Sequence, residues 1–343
     1  MIAARAKSIA PFLVMDILEA AQRLERAGRR VVHLEIGEPD FDAPDCVKAA
    51  ADRALAENRT HYTHSQGIIE LREAICEHHQ ARYGVAVHPD RVIVTQGTSP
   101  GMLLLFSSLM NPGDAAVISD PGYACYANCI GFCGGRAVRV PVFEDEGFQY
   151  LPERIAERLD PAVRAVVLNS PANPTGTLLS AERMREVAGL CGSRGIFVVS
   201  DEIYHGLVYE GREHSILEFT DQAFVLNGFS KLYAMTGFRL GYLIAPGEFV
   251  APMRRVCQNL FISANSMAQW AGIAALREAA DDVERMRQTF DARRRCMLEG
   301  LARLGFTVTS HPTGAFYVLV NARHLAAKFG GSSLKLEIGR AHV

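Results

Sequence analysis

The sequence predicts an α/β fold built on a mostly parallel sheet flanked by helices. Apolar runs such as Ala115–Ser119, Ala165–Leu168, Ile196–Ser200 and Ala223–Leu226 recur along the chain with little alternation of polar and apolar residues. Strands buried on both faces read this way. Helical stretches separate the runs, which is the order of a parallel sheet with crossover helices. A chain of 343 residues is also long enough to bury a large core and to form two domains.

Composition narrows the classes. Hydrophobic residues make up 49% and charged residues 22%, with a net charge of −2, so no basic excess argues for nucleic acid. No apolar run approaches the roughly 18 residues needed to span a membrane. Pro11 and Asp16 interrupt the apolar run near the N-terminus, so a signal-peptide pattern is lacking. The eight cysteines are scattered without a Cys-x-x-Cys pair, which suits a reduced compartment, and a cytoplasmic protein is expected. Cys125, Cys129 and Cys133 would line one helix face, but no fourth ligand completes a metal set. Small buried side chains are the simpler reading there, and no metal is expected.

In chain order, a helix is expected over Val14–Ala27 and a short strand over Val31–Ile36. A turn, Gly37-Glu38-Pro39-Asp40-Phe41, follows, and Pro44 opens the next helix. Tyr62 and Thr63 precede Gly67 and a helix around Leu71–Ala74. The strand Arg91–Thr95 runs into Gln96-Gly97-Thr98-Ser99-Pro100-Gly101 and an apolar helix, Met102–Met110. Gly97 permits close backbone approach, Thr98 or Ser99 can cap, and Pro100 suits a first helical turn. Such a helix N-terminus attracts anions by geometry and dipole, although strand-glycine-helix junctions are common.

The next strand ends in Asp120-Pro121-Gly122-Tyr123, where Tyr123 reads equally as core packing or as a stacking platform. Ala165–Leu168 leads into Asn169-Ser170-Pro171-Ala172-Asn173-Pro174-Thr175-Gly176, a loop stiffened by two prolines. Ile196–Ser200 runs into Asp201-Glu202-Ile203-Tyr204. A carboxylate ending a buried strand is costly unless it meets a cation, which marks Asp201. Glu202 reads as a supporting or surface group. Lys231 stands just past the run Ala223–Leu226, on the turn Asn227-Gly228-Phe229-Ser230, where a parallel sheet opens its ligand crevice. Its amine can condense with an aldehyde, and Ser230 and Arg239 suit a phosphate. A loop lysine and a snorkelling arginine fit those two cations equally well on their own. A strand-like run, Gly241–Ile244, comes next, and a long charged amphipathic run, Asp281–Leu304, leads to Gly314-Ala315-Phe316-Tyr317.

Ser230-Lys231, with Arg239 in the setting Gly237-Phe238-Arg239-Leu240-Gly241-Tyr242, closely resembles the cofactor-lysine motif of class I/II aminotransferases. These are pyridoxal-phosphate enzymes of fold type I, and the likeness runs from Pro11 to about Lys335. It implies a mostly parallel seven-stranded sheet in a large domain over residues 37–285. A smaller, here incomplete, α+β domain would combine residues 1–36 and 286–343, with Gly314-Ala315-Phe316-Tyr317 beginning one of its strands. Pro171-Ala172-Asn173-Pro174-Thr175-Gly176 matches the family signature whose asparagine bonds the phenolic oxygen of the cofactor. By the same resemblance Asp201 faces the pyridine nitrogen, Tyr204 the phenolic oxygen, and Tyr123 stacks on the ring. Gly97, Thr98, Ser99, Ser230 and Arg239 hold the phosphate, joined by Tyr62 from the other subunit of a homodimer with shared active sites. Gly37 and Asn173 lie at the substrate. Lys231 carries the cofactor and moves the Cα proton as an amino group passes between an α-amino acid and a 2-oxo acid.

Departures from the family pattern matter too. Gly228 stands where many members carry a second serine, so one phosphate hydroxyl is missing. Some relatives that prefer aspartate carry a lysine where Ser99 stands, which weighs against acidic substrates. A carbon–sulfur β-lyase on the same cofactor, or a non-catalytic cofactor-binding protein, stays open as an alternative. A dinucleotide enzyme is disfavoured, because no Gly-x-Gly-x-x-Gly follows a strand. Family members continue to a Pro-Gly turn and an arginine that clamps the substrate carboxylate, and no arginine after Gly314 has that setting. Ile338–Val343 corresponds to translation of ATC GGA AGA GCA CAC GTC, which reads as a sequencing adapter. The expectation is a C-terminally truncated chain that binds pyridoxal phosphate but transaminates poorly.

Overall fold

The computed structural model describes residues 2–326, so the expected adapter tail and the last part of the small domain lie outside the described residues. Seven strands among them form one sheet: β1 (Val92–Thr95), β2 (Ala115–Asp120), β3 (Arg136–Pro141), β4 (Val163–Asn169), β5 (Phe197–Asp201), β6 (Ala223–Gly228) and β7 (Gly241–Ile244). Their spatial order is β1-β7-β6-β5-β4-β2-β3. Strand β7 runs antiparallel to both neighbours, and the remaining pairs are parallel.

Alternate side chains of each strand enter two cores, so both faces demand apolar residues. Ala223 and Val225 of β6 join Leu71, Ile75, Met184 and Val187 on one face. Phe224 and Leu226 face the other way, against Leu105, Phe106, Ile130 and Met253. Burying a side chain of this size stabilises the fold by about 1.5–3 kcal/mol. The helices carrying these residues follow local rules: Ile69–Tyr83 stops at Gly84, whose φ of 71° is the left-handed conformation glycine adopts freely.

The topology gathers the chemistry at one edge. Strands β1, β2, β4, β5 and β6 all deliver their C-terminal ends there, and antiparallel β7 starts there, two residues after Arg239. Gly228 has a packing reason on this edge: a Cβ on it would come to 3.0 Å from Gly241 Cα and from Leu240 O.

Three expectations are corrected. Val31–Ile36 forms no strand, since Val32 and Leu34 are 73% and 76% exposed and no strand pairs with them. Strand β3 emerges where no strand was expected. Gly314 makes an isolated bridge to Val208 and starts no strand. No helix among the described residues is long and apolar enough to cross a membrane.

Candidate active site

The strand ends surround a cavity of about 470 Å³ lined by Gly37, Thr98, Tyr123, Asn173, Asp201, Tyr204 and Lys231, among others. A wider, more open cleft of about 610 Å³ near His78, Arg82 and Arg287 holds none of the expected site residues.

Asp201 ends β5 and is buried at 4% exposure. Its Oδ2 accepts a hydrogen bond from Tyr126 Oη at 2.6 Å, and Oδ1 accepts one from the Ile203 N–H at 3.2 Å. Burial lifts its pKa to about 6, against the pull of those two hydrogen bonds. No ion pair to Asp201 occurs among the described residues. A buried carboxylate that borders a cavity without a cation is poised to receive one.

Lys231 follows β6 and donates from Nζ to the Gly37 carbonyl at 2.6 Å. Burial is the largest influence on its amine and lowers the pKa; Glu38 opposes this, Arg239 adds to it, and Asp201 opposes it again. Desolvation therefore favours the neutral, nucleophilic form. Gly37 is required for a second close approach, that of Tyr317, because a Cβ there would lie 2.1 Å from Tyr317 Oη.

Asn173 is fixed through the rigid loop: its N–H donates to Asn169 Oδ1 at 2.7 Å, while Asn169 Nδ2 donates to the Asp201 carbonyl at 2.9 Å. Asn173 Nδ2 donates to Tyr204 Oη at 3.3 Å, and Tyr204 Oη lies 2.7 Å from Tyr317 Oη. Tyr123 meets Tyr126 edge-on at a centroid distance of 5.3 Å.

Beside the cavity, Gly97 precedes the helix Thr98–Leu109 with a φ of 92°. A Cβ on Gly97 would come to 2.7 Å from Arg239 Nη2, so the glycine lets a guanidinium reach the helix N-terminus. Arg239 itself sits in the left-handed region at φ 52°, a strained conformation for a non-glycine residue. Cation and free N–H groups together form an anion site. Ser230 is half-buried next to Lys231; Ser99 is exposed and does not line the cavity. Tyr62 is 81% exposed and likewise stands off the cavity of its own chain.

Three residues escaped the sequence reading. Tyr126 follows Tyr123 at helical spacing, which was the available signal. Asn169 ends β4 in the register of Asp201. Tyr317 arrives from far along the chain, and nothing local marked it. Glu202 differs from the surface reading: it is fully buried, and its Oε1 accepts from Ser200 Oγ, Ser215 Oγ and the Ile216 N–H at 3.0, 3.1 and 3.0 Å.

A buried carboxylate without a cation, a half-buried amine, an aromatic ring and, beside them, a guanidinium at a helix N-terminus gather at this edge of the sheet. Comparison with known proteins gives the class. Residues 29–334 match the family described as aminotransferase class I and II. The chain is 40% identical over 339 residues to the (5-formylfuran-3-yl)methyl phosphate transaminase of Methanocaldococcus jannaschii, covering 98% of this chain and 88% of that protein. It is 38% identical to the aspartate/prephenate aminotransferase of Thermus thermophilus, covering 94% of this chain and 84% of that one. The structure of Thermus thermophilus aspartate aminotransferase with maleate superposes with a TM-score of 0.92 at 37% identity, over 95% of this chain and 86% of that one. The chain belongs to the class I and II aminotransferases, whose cofactor is pyridoxal phosphate.

Proposed function

We propose that Lys231, Asp201 and Tyr204 are the catalytic residues of a transaminase that moves an amino group between an α-amino acid and a 2-oxo acid. The observation that carries this is the placement of the half-buried Lys231 amine and the buried Asp201 carboxylate on one cavity, neither with an ion-pair partner among the described residues. Bound pyridoxal phosphate supplies an electron sink for the pair left behind when the substrate Cα loses its proton. Lys231 would hold the cofactor through its amine and, when that amine is free, would take and return the substrate Cα proton as base and acid. Asp201 holds the ring nitrogen protonated. Asn173 and Tyr204 bond the phenolic oxygen, and Tyr123 covers the ring face and excludes water. Gly97, Thr98 and Ser99 offer backbone N–H groups to the phosphate, with Ser230 and Arg239 beside them. Gly37 and Asn173 contact the substrate.

Borohydride reduction of the yellow holoprotein followed by peptide mapping tests the anchor. The adduct is expected on Lys231; finding it on another lysine would sink the assignment.

The same reading makes the enzyme a cytoplasmic homodimer of amino-acid biosynthesis, with residues 37–285 as the large domain and both termini as the small one. Support for the dimer comes from Tyr62, which is exposed beside Thr63, whose N–H donates to Ser263 Oγ at 3.4 Å next to exposed Leu260 and Ile262. An apolar patch carrying a site residue that its own cavity does not use fits contact with a second copy. Mixing Tyr62→Phe with Lys231→Ala chains is expected to yield hybrid dimers with one composite site that binds cofactor normally. Verified hybrids without recovered activity or improved affinity would mean that Tyr62 acts within its own chain.

A further inference from the structure

The far wall of the active cavity comes from the N-terminal segment. Phe12, Val14 and Met15 line it together with Glu35 and Ile36. Phe12 leans edge-on against Tyr123 at 6.5 Å between ring centroids, so the apolar wall stands next to the stacking platform. The charged residues lining the cavity are Glu35, Asp201 and Lys231. Under the reading above, Asp201 and Lys231 face the cofactor. Among the described residues, Glu35 is then the charge lining the cavity that is left to meet a substrate side chain.

Glu35 is fixed in place. Its Oε1 bonds His33 Nδ1 at 2.7 Å, its Oε2 accepts the Leu34 N–H at 2.9 Å, and its side chain is 11% exposed. His33 Nε2 in turn meets Glu25 Oε1 at 2.9 Å. One imidazole between two carboxylates leaves the group net negative whether or not the ring is protonated. A substrate carboxylate entering this pocket would lose water and meet a like charge, while a neutral apolar side chain would meet Phe12, Val14 and Met15.

We infer that Glu35 is a specificity-determining residue: with Phe12, Val14 and Met15 it selects large neutral, apolar amino acids and rejects side chains ending in a carboxylate. The inference rests on the transaminase reading. It goes further by assigning the substrate side-chain subsite to a segment that no catalytic role requires. Specificity here uses a repulsive element beside an attractive one.

The test has two arms, both on the holoenzyme. Calorimetric titration compares phenylpropionate with succinate, two unreactive carboxylates that differ at the far end. Wild type is expected to bind phenylpropionate about tenfold tighter or more, and Glu35→Gln to shrink that ratio about tenfold by admitting succinate. In the second arm, bound-cofactor absorbance follows the half-reaction with phenylalanine and with aspartate, and kcat/KM should shift in the same sense. Thermal unfolding of Glu35→Gln checks that the fold is kept. Should the variant unfold, the wild-type ratio alone decides. A wild type that prefers succinate and aspartate, or a folded Glu35→Gln with an unchanged ratio, overturns the inference. If neither amino acid converts the cofactor, the transaminase reading fails, while the calorimetric ratio still decides the subsite.

Discussion

Lys231→Ala is expected to lower amino transfer by about 10⁴-fold or more, while the protein stays folded and keeps part of its cofactor affinity. The amine does two jobs that no neighbour can take over. Under the proposed function it would be the nucleophile for the cofactor aldehyde and the carrier of the substrate proton, and both roles need a neutral amine. Burial provides that condition by depressing the Lys231 pKa, with Arg239 acting in the same direction. The hydrogen bond to the Gly37 carbonyl, 2.6 Å long, aims the amine toward the residue expected to lie over the substrate. Among the described residues no second lysine lines the cavity to substitute for it. Arg239 and the N-terminus of the helix Thr98–Leu109 are untouched by the change, so the phosphate cradle should still hold cofactor without a covalent bond. Single-turnover conversion of cofactor by amino acid gives the rate, and equilibrium dialysis gives the affinity. A variant within tenfold of the parent rate would show that another group carries the proton.

The central strands were legible because burial on both faces leaves a continuous apolar run, as in Ala223–Leu226. Strand β3 was hidden for the opposite reason. It lies at the sheet edge, pairs with β2 alone, and carries Arg136 and Arg139, so its sequence reads as polar punctuation. Val31–Ile36 misled in the reverse sense: a β-prone run without a neighbouring strand has nowhere to place its backbone hydrogen bonds.

In the site, residues at strand ends were readable because a costly or rigid residue there demands a reason. Asp201 needed a cation, Lys231 an explanation for its dry position, and Asn173 for its two flanking prolines. Tyr317 could not be read this way. It meets Tyr204 and Gly37 only after the chain has folded back on itself, since Tyr317 and Tyr204 lie 113 residues apart in sequence. Glu202 was left open between a supporting and a surface role because its compensation is invisible in sequence: Ser200 Oγ from β5 and Ser215 Oγ and the Ile216 N–H from one later turn converge on it.

Asp201→Asn should reduce transfer by about 10²–10³-fold with cofactor still bound, and should also remove a pH dependence. The substitution keeps size and hydrogen-bonding shape but deletes the charge. What is lost is the partner of a protonated ring nitrogen, an interaction strengthened by the absence of water around a side chain only 4% exposed. The Tyr126 hydroxyl, 2.6 Å from Oδ2, serves to orient the carboxylate and hold part of its charge. Tyr126→Phe should therefore cost less than Asp201→Asn, by about one order of magnitude. The pH effect follows from sign. Burial raises the Asp201 pKa to about 6, above the ordinary carboxyl value, so the anion predominates above that pH and is neutralised below it. Cofactor affinity that depends on this anion is complete at about pH 8 and is lost as pH falls through about 6 toward 5. Other titrating groups, those of the cofactor included, act on parent and variant alike. The ratio of the two dissociation constants across that range isolates Asp201. It should favour the parent at high pH and approach unity at low pH. A ratio that stays flat, or an Asn variant with near-normal turnover, would mean that Asp201 does not face the ring nitrogen.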